Sequence, residues 1–165
     1  MMKKNLIVLL TIFGITLLFV GAFIYEKRQV HVFNLNTYEN TDNIYYDVTD
    51  IKNDDEYLKI YGWAINKGVT YDFYNWIIKD GKSVYINTTI ALVKADMVYE
   101  IYTTTDYGVM INDIINDGID YRNSGFVSIV DTSTFKIAGE YNVAIIITTI
   151  NGDKLITITD EVIYI

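Results

Sequence analysis

Between Lys3-Lys4 and Glu26-Lys27-Arg28 the chain carries no charge, and from Leu6 to Tyr25 only Thr11, Gly14, Thr16 and Gly21 break an apolar run. Twenty helical residues rising about 1.5 Å each span about 30 Å, the hydrocarbon thickness of a bilayer. A helix can hide a threonine hydroxyl against its own carbonyls, so neither threonine disqualifies the span. The chain therefore divides into an N-terminal membrane anchor, 1–28, and a folded part that must be built from the polar residues after it. Residues 6–25 are the stretch that meets the membrane.

A cleaved signal peptide is the competing reading, with Val20-Gly21-Ala22 as its cleavage site and a secreted protein as its product. Against it, the apolar run continues through Phe23, Ile24 and Tyr25, and no polar region precedes the site. A retained single-pass anchor is the expectation. Lys3 and Lys4 are balanced by Lys27 and Arg28 across the span, so basic residues hardly set its direction. The short leading tail favours N-terminus in and domain out. No cysteine is present to acylate or to form a disulfide. Gly14 and Gly21 share a helix face seven apart, but without G-x-x-x-G they read as ordinary anchor composition.

Residues 29–165 hold nine Lys plus Arg against twenty Asp plus Glu, a formal net charge of −11. Such a surface repels phosphate backbones, which excludes nucleic acid as a partner. There is no proline, where average usage of about 5% predicts roughly eight. Turns must then rest on Gly, Asn and Asp. Asn151-Gly152 and Asp80-Gly81 each separate two β-rich runs. A two-residue turn at Asn151-Gly152 sets Ile147 opposite Ile156 and Ile145 opposite Ile158, collecting four isoleucines on one face. Further strands are expected at Ile44–Ile51, Tyr57–Ile65, Tyr71–Ile78, Ser83–Thr89, Gly125–Val130 and Val162–Ile165, with short helices at Met97–Tyr102 and Ile111–Ile115. This spacing predicts an all-β fold, an antiparallel β-sandwich of immunoglobulin-like or jelly-roll-like kind, over 44–165. Residues 29–43 read as a stalk or first edge strand.

Ile60-Tyr61-Gly62-Trp63-Ala64-Ile65 resembles the G-W-A strand of small β-sandwich modules of bacterial envelope and surface-polysaccharide proteins. In that pattern an R-x-D-V step, S-G-F and G-x-Y follow. Lys94-Ala95-Asp96-Met97 is a softened version of the step, with lysine for arginine; Ser124-Gly125-Phe126 and Gly139-Glu140-Tyr141 fit as they stand. Asp106 to Tyr121 looks like an extra loop. The resemblance implies an accessory sandwich in envelope-carbohydrate biology and implies no catalytic residues.

Trp63, on a strand beside a glycine, is expected as a buried indole filling the sandwich. Lys94 and Asp96 read either as an ion pair between strand and loop or, equally, as a pair that orients a partner surface. Gly125 and Gly139 are expected to serve turns or close backbone approach. The Asp80-Gly81 hairpin brings Tyr74, Trp76 and Tyr85 to one side, flanked by Ser83 and Asn87. Such a strip would stack on sugar rings if exposed, while strands buried on both sides would give the same letters. Asp113, Asp117 and Asp120, with Gly118 between, offer hard oxygens of the kind calcium takes, but off the D-x-[DN]-x-[DN]-G spacing. A solvated acidic loop is the simpler reading.

With one histidine, His31, and no cysteine, zinc sites and cysteine nucleophiles are closed, and no Gly-rich phosphate loop or G-x-S-x-G occurs. No cofactor and no enzymatic activity are expected; a carboxylate-dependent glycan hydrolase is the remote alternative. The function expected is a membrane-anchored extracytoplasmic binding or scaffolding module of a bacterial envelope. Its partner would be a cell-wall glycan or, alternatively, an envelope protein for which it is an accessory subunit. Full-length protein should stay with the membrane pellet through alkaline extraction, whereas a chain begun at Gln29 should be soluble. A mature N-terminus at Phe23 in the native protein would show cleavage instead.

Overall fold

The structure, a computed structural model, describes residues 2–27, 29–54, 56–66, 87–106, 124–149 and 152–165. Helix α1 runs Met2–Lys27, and its stretch Ile7–Lys27 is long and apolar enough to cross a bilayer. Among the described residues ten strands follow: β1 His31–Asn34, β2 Glu39–Asn40, β3 Ile44–Asn53, β4 Tyr57–Asn66, β5 Asn87–Lys94, β6 Met97–Ile101, β7 Thr103–Asp106, β8 Gly125–Asp131, β9 Glu140–Thr148 and β10 Lys154–Tyr164. They form a six-stranded sheet, β1-β6-β5-β9-β10-β2, and a four-stranded sheet, β3-β4-β8-β7. Every pairing is antiparallel except β10 with β2.

Strands β3, β4, β8 and β7 follow the A-B-E-D order of immunoglobulin-like sandwiches, and β6, β5, β9 and β10 follow C′-C-F-G. The Gly139-Glu140-Tyr141 step supplies that fold's tyrosine corner: the Tyr141 hydroxyl donates to the Ile137 carbonyl four residues upstream. Between the sheets lies a core of Leu58, Ile60, Ile90, Leu92, Phe126, Tyr141, Ile145 and Ile147. Tyr99, Phe135 and Tyr141 close one side of it with ring centroids 5.5–5.8 Å apart.

Residues 31–40 add an edge to each side of the six-stranded sheet. Asn34 ends β1 at one edge and Glu39 begins β2 at the other, five residues later. Five residues reach at most about 18 Å, whereas the edges of a flat six-stranded sheet stand about 24 Å apart. The sheet must therefore curl, and Leu35–Thr37, a 3-10 turn capped by the Asn34 side chain and followed by Tyr38, straps its outer face. Leu35 and Tyr38 cover Ala91, Val93, Val98, Ala144, Ile146 and Ile156, a second core. The Leu35 N–H donates to the Asp96 carbonyl at 2.7 Å, tying the strap to the β5–β6 turn. Residues 29–43, expected as a stalk or first edge strand, thus contribute β1 and β2, the two outer strands of this sheet.

Four expectations are corrected. Met97–Tyr102 is not helical: Met97–Ile101 is β6, because Val98 faces the strap while Tyr99 and Ile101 face the sandwich core, a period of two. The β9–β10 register differs by one residue: Ile147 faces Leu155 and Ile145 faces Thr157. Thr149 and Asp153 close the hairpin across three residues, with Gly152 at φ +89°. Ile158 is 40% exposed and joins neither core. Lys94 turns from Asp96 to donate to the Ala138 carbonyl at 2.6 Å, its ammonium 4.8 Å from the Tyr141 ring centre.

Trp63 is the fourth. On β4 the core-facing set is Leu58, Ile60, Gly62 and Ala64, so Trp63 alternates outward with Lys59 and Tyr61 and is half-buried at the core margin. It is Gly62 that the core requires. A Cβ there would stand 2.2 Å from the Asp47 carbonyl oxygen of β3 and 2.7 Å from the Phe126 ring. Gly62→Ala should therefore destabilise the sandwich by about 2–3 kcal/mol, measured by urea denaturation. In the same assay Ala95→Gly should add about 1 kcal/mol, since Ala95 sits at φ +52° in the two-residue β5–β6 turn.

Candidate functional site

Tyr74, Trp76 and Tyr85 lie outside the described residues, with the Asp80-Gly81 turn and with Asp113, Asp117 and Asp120. So does Ile111–Ile115. Asn87 opens β5, its backbone opposite Thr148. The register nevertheless locates the strand ends that flank these segments. β6 runs on into β7 past Tyr102, leaving the six-stranded sheet for the four-stranded one. Asn66, Asn87, Asp106 and Ser124 consequently sit at one end of the sandwich, as does the β9–β10 hairpin.

That end also receives helix α1. The Lys27 ammonium lies 4.2 Å from the ring centres of both Phe23 and Tyr102 and donates to the Tyr102 hydroxyl at 2.5 Å. Phe23 and Lys27, four apart, share a helix face, so one aromatic from the helix and one from the sandwich bracket a single cation. A cavity of about 420 Å³ opens between helix and sandwich, walled by Phe23, Glu26 and Lys27 on one side and Thr88, Thr89, Tyr102 and Thr103 on the other. Gln29, His31, Glu100 and Ile101 line it as well. The His31 Nε2 stands 3.7 Å from the Glu26 carboxylate, an ion pair whenever the imidazole is protonated.

Two polar groupings hold this end together. Thr103 sits at the crossing between sheets: its hydroxyl accepts from the Ile90 N–H of β5 at 2.9 Å, donates to the Ile101 carbonyl, and lies 2.7 Å from the buried Ser128 hydroxyl of β8. Glu100 is largely buried and accepts from the Tyr38 hydroxyl at 2.9 Å and the Lys154 ammonium at 2.5 Å. Lys154 also lies 4.8 Å from the Phe33 ring centre. The strap, β6 and β10 are so joined through one carboxylate.

Away from the helix, Asn53, Asp54, Thr132, Ser133, Tyr164 and Ile165 line a cleft of about 410 Å³. Asp54 there accepts from the Glu56 and Tyr57 N–H groups, and Asp131 from Ser133. Both carboxylates serve local turns. Among the described residues no cluster of three His, Asp or Glu side chains could hold a metal ion. On the outward face of the four-stranded sheet, Tyr61 and Trp63 stand two apart on β4, opposite Val127 and Gly125 of β8 and beside Asp47, Asp50 and Lys52 of β3. Lys52 pairs with Asp50 at 3.0 Å and reaches over the Tyr61 ring. Comparison with protein families, with curated proteins and with solved structures finds no match for this chain.

Burial raises the Tyr38 hydroxyl well above the usual tyrosine value near 10, and the hydrogen bond and charge of Glu100 add to it. The folded state then keeps a proton that the unfolded chain releases. This stabilisation is whole below pH 10 and is lost as pH rises from there toward the raised value. Denaturation midpoints should fall above pH 10, and Tyr38→Phe should flatten that fall by roughly 1 kcal/mol per pH unit. At neutral pH the same variant should lose about 1–3 kcal/mol, the worth of a hydrogen bond to a carboxylate.

Proposed function

We propose that the protein is a non-enzymatic binding module of a bacterial cell envelope, retained in the membrane by α1 with the sandwich on the extracytoplasmic side. Its ligand is a surface glycan, met along the outward face of the four-stranded sheet. The observation that carries this reading is the pairing of Tyr61 and Trp63 on that face. Aromatic faces stack on the apolar C–H faces of sugar rings, and Asp47, Asp50, Lys52 and Lys59 around them can hold hydroxyls. The acidic surface, net −11 over 29–165, is compatible with neutral or amino sugars and adverse to phosphate-rich polymers. The likeness of the G-W-A, S-G-F and G-x-Y steps to envelope β-sandwich modules points the same way.

A protein adaptor is the second reading, favoured by Val127 and Ile129 on the same face, the latter 45% exposed. Binding to purified cell-wall polysaccharides separates the two. Trp63→Ala and Tyr61→Ala should each weaken glycan retention by about 2 kcal/mol, roughly thirtyfold, with denaturation curves confirming that both variants fold. Absence of binding by the wild type would reject the glycan and leave the adaptor.

A further inference from the structure

We infer that the cavity between α1 and the sandwich is a headgroup site for a zwitterionic, amine-bearing glycerophospholipid. The inference rests on the reading of α1 as a retained span. With Ile7–Lys27 crossing the bilayer, Phe23 lies at the hydrocarbon boundary, and Glu26 and Lys27 stand at headgroup depth. The cavity is therefore open to the molecules of the bilayer surface, and its helical wall is continuous with the apolar face along which acyl chains lie.

The charges in it suit one headgroup chemistry. Lys27 gives one of its three N–H donors to Tyr102 and keeps two for a phosphate oxygen. Held between two rings, the ammonium is prepositioned for that contact. Glu26, one residue before it and set beside His31, offers a carboxylate to a primary ammonium. A phosphate and an ammonium two carbons apart, as in an ethanolamine headgroup, can meet both. An anionic headgroup lacks the cation for Glu26 and meets the field of a domain at −11. A choline headgroup has the charge but no N–H to donate.

The test uses full-length protein in nanodiscs of phosphatidylcholine, phosphatidylethanolamine and phosphatidylglycerol in equal parts, released into detergent for native mass spectrometry of retained lipid. Phosphatidylethanolamine should be enriched at least fivefold over each of the others. Glu26→Gln, at an exposed position, should bring it down to the phosphatidylcholine level, and Lys27→Gln should lower retention of all three. Retained lipid matching the bulk, or an enrichment that survives Glu26→Gln, would overturn the site. Alkaline extraction run alongside separates the premises: protein released from membranes overturns the span and the site together, whereas membrane-bound protein without lipid preference overturns the site alone.

Discussion

Five residues decide the shape of the larger sheet. The chain from Asn34 to Glu39 is too short to pass from one edge of a flat six-stranded sheet to the other, so the sheet bends until it can. Bending turns an outer face into an inner one. Ala91 and Ala144 on the enclosed face fit the narrowing space, and Tyr38 spans it to reach Glu100. The parallel pairing of β2 with β10 follows from the same crossing, and so does the cover over Glu100, whose partner Lys154 stays partly exposed.

The sandwich is held where its sequence steps touch in pairs. Gly62 leaves room for Phe126, bringing the G-W-A and S-G-F steps together. Lys94 reaches the Ala138 carbonyl and the Tyr141 ring beside Gly139, whose φ of +128° is open to glycine and little else. Each contact joins residues 44 to 64 apart in the chain. Contacts of such span close only when both sheets are in place, so they contribute to cooperativity as well as stability.

Strand existence was legible from β-branched and aromatic runs between Gly, Asn and Asp turns, which place β3, β4 and β8 within two residues. Register in β9 was not. Collecting isoleucines on one face presumes that the other face is wet, yet Val143 to Ile147 is buried on both. What covers the second face is a strap over a hundred residues earlier, which no local pattern reveals. Trp63 misled for a related reason: size suggested core, while alternation along β4 gives the inward position to Gly62. At the candidate site, Lys27 was visible only as a flanking charge. Its pairing with Tyr102 depends on where β6 crosses into β7, a tertiary fact without a sequence signature.

Three residues separate the end of α1 from the start of β1, and the Lys27 bracket spans the joint. A long flexible linker would let the sandwich sample a hemisphere several nanometres across. With α1 retained as a span, so short a joint would couple the two, helix tilt in a bilayer would become tilt of the sheets, and a thicker or thinner membrane would re-aim the outward face. Under the proposed function such a molecule would be a reader of set height and bearing: its encounters would be drawn from a thin layer above the lipid, within a narrow range of approach angles that membrane thickness would tune.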